Sequence, residues 1–334
     1  MAAALSHREA LIHQPLRLAW RPYGFELPAV LVTAHGAIKN RRGWLLRLEA
    51  ADGRLGWGEL VDWQQGSALA KALQQLPALL DRAALEDWLT AGPAPLAFAL
   101  GSALAELDGA ITEWLAPPAS AHLLPAGPVA LGALETLLAR DSLRDGDPGQ
   151  PRFTVKWKVA AASLETEFEV LASLLACLPP WAKLRLDANG GWDRASADQW
   201  ASRLGDEPRL EWLEQPLAPH DQSGLEALAR RLPVALDESL RQGLAWAGDW
   251  QGWQVRRPSL EGDPRPLLAA LQAGQPHWMV STALETGIGR RWLHHLAALQ
   301  IQGPTPTAPG LAPGWCPEGP LFATDPEQVW EAAG

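Results

Sequence analysis

The sequence predicts an α/β fold, a closed parallel β/α barrel preceded by a smaller region of antiparallel strands and helices. Three observations carry that prediction. From about residue 128, short apolar strand candidates alternate with helical stretches, seven of them at roughly 22 to 29 residue spacing, enough for one strand and one crossover helix per unit. Three successive strand candidates end in carboxylates, as strands sharing one catalytic rim do. The chain, with 334 residues and 47% hydrophobic content, is too long for one small core, so a larger unit with a smaller companion is expected.

In chain order, the opening stretch "MAAALSHREALIHQPLRL" has no sustained apolar run and carries His7, Arg8 and Glu9, so it does not read as a secretory signal. Residues 16 to 60 read as strands: "LRLAW", "ELPAVLVTAHGAIKN" and "GWLLRLEAADGRLGWGEL", the last with a turn at Asp52-Gly53. Residues 66 to 115 are rich in Ala and Leu at helical spacing, with a break near Gly92-Pro93, and predict two or three helices. A proline-rich connector, "APPASAHLLPAGP", follows. The barrel strand candidates are then "VALGAL", "FTVKWKV", "AKLRLDA", "RLEWLEQPL", "PVALDES", "GWQVRRPS" and "HWMVSTAL", with helices such as "LETEFEVLASLLACL" between them. A doubly wound open sheet is the alternative architecture, but no G-x-G-x-x-G follows an early strand, so its dinucleotide-binding version lacks its signature.

The net charge is −10 and no basic block interrupts it, which argues against nucleic acid and anionic membranes and leaves a small molecule as the natural ligand. No stretch approaches the ~18 consecutive apolar residues of a membrane span. Cys177 and Cys316 are far apart and lack metal-ligand spacing, so neither a disulfide framework nor a zinc site is expected, and a reducing cytoplasm fits. A monomer or weak dimer is the expected state.

Lysine is scarce. Lys39, Lys71, Lys156, Lys158 and Lys183 are five of the 28 basic residues, leaving 23 arginines. At that frequency roughly 0.07 K-x-K pairs are expected by chance, yet "FTVKWKVA" holds one. Lys156 and Lys158 share a strand face among apolar neighbours. Solvated lysines guarding an edge strand would be the bland explanation, but a closed barrel has no open edge. Turned inward, two ammoniums near one another and partly desolvated have lowered pKa values, which is how a lysine serves as a base near neutral pH.

One strand onward stands Asp187 in "LRLDANGGW", then Glu214 in "EWLEQPL" and Asp237 in "VALDES". Any one of them alone reads as a helix N-cap or turn residue. Together, at successive strand ends and next to the lysine pair, they form a set of hard oxygen ligands suited to Mg²⁺.

These segments resemble the enolase superfamily and, within it, the o-succinylbenzoate synthase family. The resemblance runs through "GWGEL" (56 to 60), "FALGSALAELDGA" (98 to 110), "KWK" (156 to 158), "LRLDANGGW" (184 to 192), "WLEQPL" (212 to 217), "ALDES" (235 to 239), "RRPSLEGD" (256 to 263) and "VSTALETGIG" (280 to 289). It implies a modified (β/α)7β TIM-like barrel over residues 123–305. An α+β N-terminal capping domain would cover 1–122, with the tail from about 306 to 334 returning to it. It implies Mg²⁺, with Mn²⁺ as a substitute, on Asp187, Glu214 and Asp237. Lys158 would be the base and then the acid, tuned by Lys156; a Lys base paired with a metal-stabilised ene-diolate is a general feature of the superfamily that the resemblance brings with it. The implied reaction is syn-dehydration of 2-succinyl-6-hydroxy-2,4-cyclohexadiene-1-carboxylate, a small dicarboxylate, to 2-succinylbenzoate on the way to menaquinone or phylloquinone.

Where the family carries another lysine before a proline, this chain has Arg257, a permanent cation that cannot act as a base. That counts against a two-base N-acylamino-acid racemase or dipeptide epimerase. A non-catalytic scaffold barrel is the remaining alternative. Parity with Val255 turns Arg257 inward; a slipped alignment would turn Arg256 inward instead. Ser281 and Thr282 are candidate carboxylate binders, and Asn189 and Arg185 candidate supports around the substrate. Glu238 is placed near the metal or a lysine. "TAHGAIKNRRG" (33 to 43) looks like a mobile capping loop, whose Arg41 or Arg42 would meet the succinyl carboxylate, with a solvated basic loop as the alternative.

Overall fold

A computed structural model describes residues 15–33, 36–63, 68–140 and 153–334. The reading of residues 1–18 as no secretory signal therefore falls mostly on residues 1–14, which lie outside the described residues.

The N-terminal part is a four-stranded antiparallel sheet, β1 (Pro15–Thr33), β2 (Gly36–Glu49), β3 (Leu55–Val61) and β4 (Leu79–Asp81), in the order β3-β2-β1-β4. The turn predicted at Asp52-Gly53 joins β2 to β3, with Gly53 at φ +85°. Helices follow at Ala68–Gln74, Arg82–Ala91 and Ala94–Leu107. Strand alternation puts Leu46, Leu48 and Leu60 on one face, packed against Leu96, Leu100 and Leu104 of the third helix. The opposite face is also covered. Tyr23, Leu45 and Trp57 pack there against Ile288, Val329 and Trp330.

The motif glycines explain how closely the third helix approaches. Gly56 and Gly58 alternate on β3, and a Cβ at these positions would lie 2.0 Å from the Ala103 carbonyl oxygen and 1.9 Å from that of Ala99. The two carbonyls are one helical turn apart, so the strand fits the helix backbone only without side chains at both positions. Gly58→Ala is expected to cost about 3 kcal/mol through overpacking, read as a Tm lowered by roughly 6–12 °C. An unchanged Tm would show that this contact is soft.

The larger sheet is parallel and has seven strands: β5 (His122–Leu124), β6 (Thr154–Lys158), β7 (Lys183–Asp187), β8 (Leu210–Glu214), β9 (Val234–Leu236), β10 (Trp253–Arg256) and β11 (Trp278–Val280). Six match predicted strands. The first does not: "VALGAL" opens the helix Val129–Arg140, and β5 lies inside the proline-rich connector. Residues 309–311 join the two ends of the sheet. Gly310 N–H donates to Val280 O at 2.8 Å and Gly310 O accepts from Thr282 N–H at 3.0 Å, while Pro309 O accepts from Ala121 N–H at 2.9 Å beside β5. The barrel is thereby closed, and these residues act as its eighth stave.

Period-2 alternation sorts the strand side chains. Val155, Trp157, Leu184, Leu186 and Leu213 join the outer core beneath the helices. Trp212, Ala235, Val255 and Met279 form a separate buried layer inside the barrel. Above that layer, towards the C-terminal strand ends, the inward positions are polar. No helix among the described residues is long and apolar enough to cross a membrane.

Candidate active site

The strand register brings the predicted residues together. Lys156 is paired with Arg185 and Lys158 with Asp187 across β6 and β7, and Asp187 with Glu214 across β7 and β8. Asp187, Glu214 and Asp237 are fully buried, and Lys156 and Lys158 are 9% and 6% exposed. With 0% exposure the three carboxylates require close cationic partners, and they have them. Lys156 Nζ donates to Glu214 Oε1 at 2.7 Å and lies 2.9 Å from Asp187 Oδ2. Lys158 Nζ donates to the same Asp187 oxygen at 2.9 Å and to Asn189 Oδ1 at 2.8 Å. Arg257 grips both oxygens of Asp237, with Nη2 to Oδ2 at 2.7 Å, and lies 3.8 Å from Glu214.

Arg257, not Arg256, turns into the barrel. Arg256 lies over the Trp278 ring and pairs with Glu261. β6 and β10 stand four positions apart in an eight-membered ring, so Lys158 and Arg257 face each other across it. Between them is a cavity of about 540 Å³. Lys156, Lys158, Asp237 and Arg257 line its charged floor, and Leu31, Ile38, Trp63 and Leu284 its apolar wall. Such a space takes a small amphipathic anion.

The electrostatics at Lys156 differ from the sequence expectation. Burial works against the Lys156 ammonium, yet Asp187 and Glu214 outweigh it and hold its pKa above the ordinary lysine value rather than below it. The ammonium sits against carboxylates, not against a bare neighbouring cation. Burial would raise Asp187, but Lys156 and Lys158 hold it well below the usual carboxylate range. Burial likewise opposes Asp237, and Arg257 and Arg241 keep its pKa at about 2. Glu214 is pushed upward by burial despite Lys156. Glu238 is pushed to about 7 by burial and by the charges of Asp237 and Asp187.

The donor set fits a divalent ion. One ammonium nitrogen bridges Asp187 and Glu214, and one guanidinium reaches Asp237 and Glu214, so the three carboxylates belong to one charged cluster of hard oxygen donors. Glu214 Oε2 and Glu238 Oε2 are buried without a hydrogen-bond partner among the described residues. Among the described residues, however, no three acidic, histidine or cysteine side chains stand close enough together to hold a metal ion. Lys156 and Arg257 lie between the carboxylates and hold them apart.

The remaining candidates separate into those at the cavity and those behind it. Asn189, Ser281 and Thr282 line it. Asn189 also donates to Glu238 at 3.2 Å, which places Glu238 beside the Lys158 partner rather than on a lysine. Arg185 borders the cavity but is committed to support. It stacks 3.9 Å over Trp212 and donates to Glu211, Thr307 and the Ala308 carbonyl. Arg42 is not brought to the cavity, being exposed and paired with Asp62 at 3.0 Å. Its neighbour Arg41 is the inward one, 2% exposed, 4.5 Å over the Trp63 ring and donating to the Ala283 carbonyl. The expected mobile loop is strand from Gly36 to Gly43, paired with β1, and residues 34–35 lie outside the described residues.

Three participants escaped sequence reasoning. Gln215, buried at φ +36°, accepts the backbone N–H groups of Asp237 and Ser239 at 3.1 and 3.0 Å and so fixes the start of the loop carrying Asp237. Its place between Glu214 and a proline was the available signal. Arg241 pairs with Asp237 at 3.1 Å and with Glu238 at 3.2 Å, one helical turn away. Trp63, two residues beyond β3, carried no motif at all.

Comparison with known proteins adds an independent line. The family described as enolase C-terminal domain-like matches residues 150–246. The chain is 37% identical over 301 residues to the o-succinylbenzoate synthase of Thermosynechococcus vestitus, covering 84% of this chain and 88% of that protein. It is 31% identical over 300 residues to the o-succinylbenzoate synthase of Yersinia enterocolitica, covering 86% and 87%. Its structure resembles that of the o-succinylbenzoate synthase from Thermosynechococcus elongatus complexed with Mg in the active site, with a TM-score of 0.74 and 31% identity over 95% of this chain and 99% of that one. With the lysine pair, the strand-end carboxylates and the capped barrel all in place, the chain belongs to the o-succinylbenzoate synthase family of the enolase superfamily.

Proposed function

We propose that this chain catalyses Mg²⁺-dependent syn-dehydration of 2-succinyl-6-hydroxy-2,4-cyclohexadiene-1-carboxylate to 2-succinylbenzoate. The observation that carries the reading is the pairing across one cavity of a lysine that can exchange a proton with a cation that cannot, Lys158 and Arg257. The relatives carry the named activity. A racemase or epimerase would need a second base at position 257.

Asp187, Glu214 and Asp237 are the residues that would hold Mg²⁺, or Mn²⁺ in its place. The ion supplies Lewis-acid stabilisation of the negative charge that develops on the substrate carboxylate, worth several kcal/mol. Lys158, as the free amine, removes the proton next to that carboxylate, and the bonding pair flows into the conjugated system. The same proton then passes from Lys158 to the hydroxyl leaving from the same face, the carbon–oxygen bond breaks and water departs, leaving the aromatic ring. Asn189 and Asp187 orient the Lys158 nitrogen throughout. Arg257 holds a delocalised positive charge over the opposite face of the ring, where it stabilises the anionic state by charge and cation–π attraction. Ser281 and Thr282 are assigned to a substrate carboxylate, and Leu31, Ile38, Trp63 and Leu284 to exclusion of water from the reacting atoms. In this reading residues 123–305 are the catalytic barrel and 1–122 its cap, with the tail from about 306 returning to the cap after residues 309–311 have closed the barrel. The enzyme is read as a cytoplasmic monomer or weak dimer without a nucleic-acid partner.

The test is loss of the cyclohexadiene absorbance when the substrate is added with Mg²⁺. Absence of turnover with both Mg²⁺ and Mn²⁺ would sink the reading. Arg257→Lys is expected to keep measurable turnover because a cation remains, while Arg257→Met loses about 100-fold in kcat, the scale of one electrostatic contact to a developing charge. Equal rates for the two variants would remove Arg257 from the chemistry.

A further inference from the structure

We infer that Glu285, which does not line the cavity, is the positioning residue for Arg257; this rests on reading Arg257 as the cation across from Lys158. Glu285 is fully buried in the loop after β11. Its Oε2 accepts the Thr282 hydroxyl at 2.5 Å, and its Oε1 accepts the Ala283 N–H at 2.9 Å and the hydroxyl of Ser259. Ser259 lies two residues after Arg257, on the short helix Pro258–Glu261. One carboxylate thus ties the segment leaving β10 to the segment leaving β11.

The tie bears on Arg257 because the Thr282 carbonyl accepts from Arg257 Nη1. The Arg257 side chain is otherwise anchored by Asp237, gripped through both oxygens, and at 3.8 Å by Glu214, also a proposed Mg²⁺ ligand. Asp237 is also a proposed Mg²⁺ ligand, and a carboxylate shared with a divalent cation holds a guanidinium less firmly. Among the described residues the Thr282 carbonyl has no such competitor. Its position is set by the Glu285 grip on the Thr282 hydroxyl and on the next residue's N–H. Arg41 donates to the Ala283 carbonyl at 3.2 Å from the capping sheet and steadies the same loop. Glu285 therefore keeps the Arg257 guanidinium aimed across the barrel when Asp237 is engaged elsewhere.

A double-mutant cycle on the full-length, Mg²⁺-supplied protein tests this. Glu285→Gln is expected to lower kcat about tenfold with little change in KM, the scale of losing one partner in a buried charged network. In an Arg257→Met background the same change should cost nothing further, because the group it positions is gone. Independent, multiplying losses would overturn the inference. Should Glu285→Gln fail to fold, Ser259→Ala, which removes one arm of the tie, is expected to lower kcat about threefold and to be equally silent with Arg257→Met. A second readout needs no turnover. The Arg257 Nη–H signals in the ¹⁵N spectrum at low temperature, recognised by their absence from Arg257→Met, should lose exchange protection in Glu285→Gln; unchanged protection counts against the inference. Full activity of Arg257→Met would instead remove the reading on which the inference stands.

Discussion

Lys158→Ala is expected to lower kcat by at least about 10⁴-fold, because one nitrogen both removes the proton and returns it, and each role alone is worth about 10²–10⁴. The fold should survive. Asp187 keeps Lys156 at 2.9 Å and a backbone N–H from Asn189 at 3.1 Å, so its buried charge retains partners. The measurement is the substrate absorbance together with exchange of the substrate proton in deuterated solvent, both of which should vanish. Exchange that persists without net dehydration would move the base elsewhere. Normal turnover would refute the assignment of Lys158 outright. Lys156→Ala should behave differently. It removes the close partner of Glu214, whose Oε2 is already without one, and so is expected to lower stability as well as rate.

Removing the divalent ion is expected to be as severe. Turnover in excess EDTA should fall by about 10³-fold or more, the equivalent of several kcal/mol of charge stabilisation. A ligand that binds the folded state also stabilises it, by about 2.7 kcal/mol at a hundred times its Kd. Mg²⁺ should therefore raise the Tm by roughly 5–10 °C. Glu214→Gln should abolish both effects, since it replaces with an amide a buried carboxylate oxygen that has no partner among the described residues. Turnover that survives EDTA, or a Tm indifferent to Mg²⁺ in the unsubstituted protein, would contradict the ligand assignment.

The barrel was largely readable from sequence because parallel strands buried on both faces give short apolar runs, and their polar interruptions are confined to the ends where chemistry is done. That made Asp187, Glu214, Asp237 and the lysine pair visible, and parity with Val255 separated Arg257 from Arg256. The first strand was not visible. Three residues, His122–Leu124, sit among prolines, and the six-residue apolar run after them fits a helix as well as a strand. The arginine of the capping sheet was ambiguous for a different reason. Both faces of that sheet are covered, so neither side of β2 is a plain solvent side from which Arg41 and Arg42 could be told apart. Gln215 acts through backbone groups more than twenty residues along the chain and Glu285 through the hydroxyl of Ser259, 26 residues back, and no spacing rule announces such contacts.

The short closing segment has a consequence for how the molecule is made. While residues 309–311 are still missing from the growing chain, β5 and β11 lack the segment that bonds beside both of them. Nascent chain at that stage is a candidate for chaperone capture or for pairing with another copy. Synthesis of residues 309–330 then delivers both the piece that closes the ring and the Val329–Trp330 plug that seals the capping sheet. Closure of the catalytic cavity thus rests on residues outside the strands that carry the chemistry.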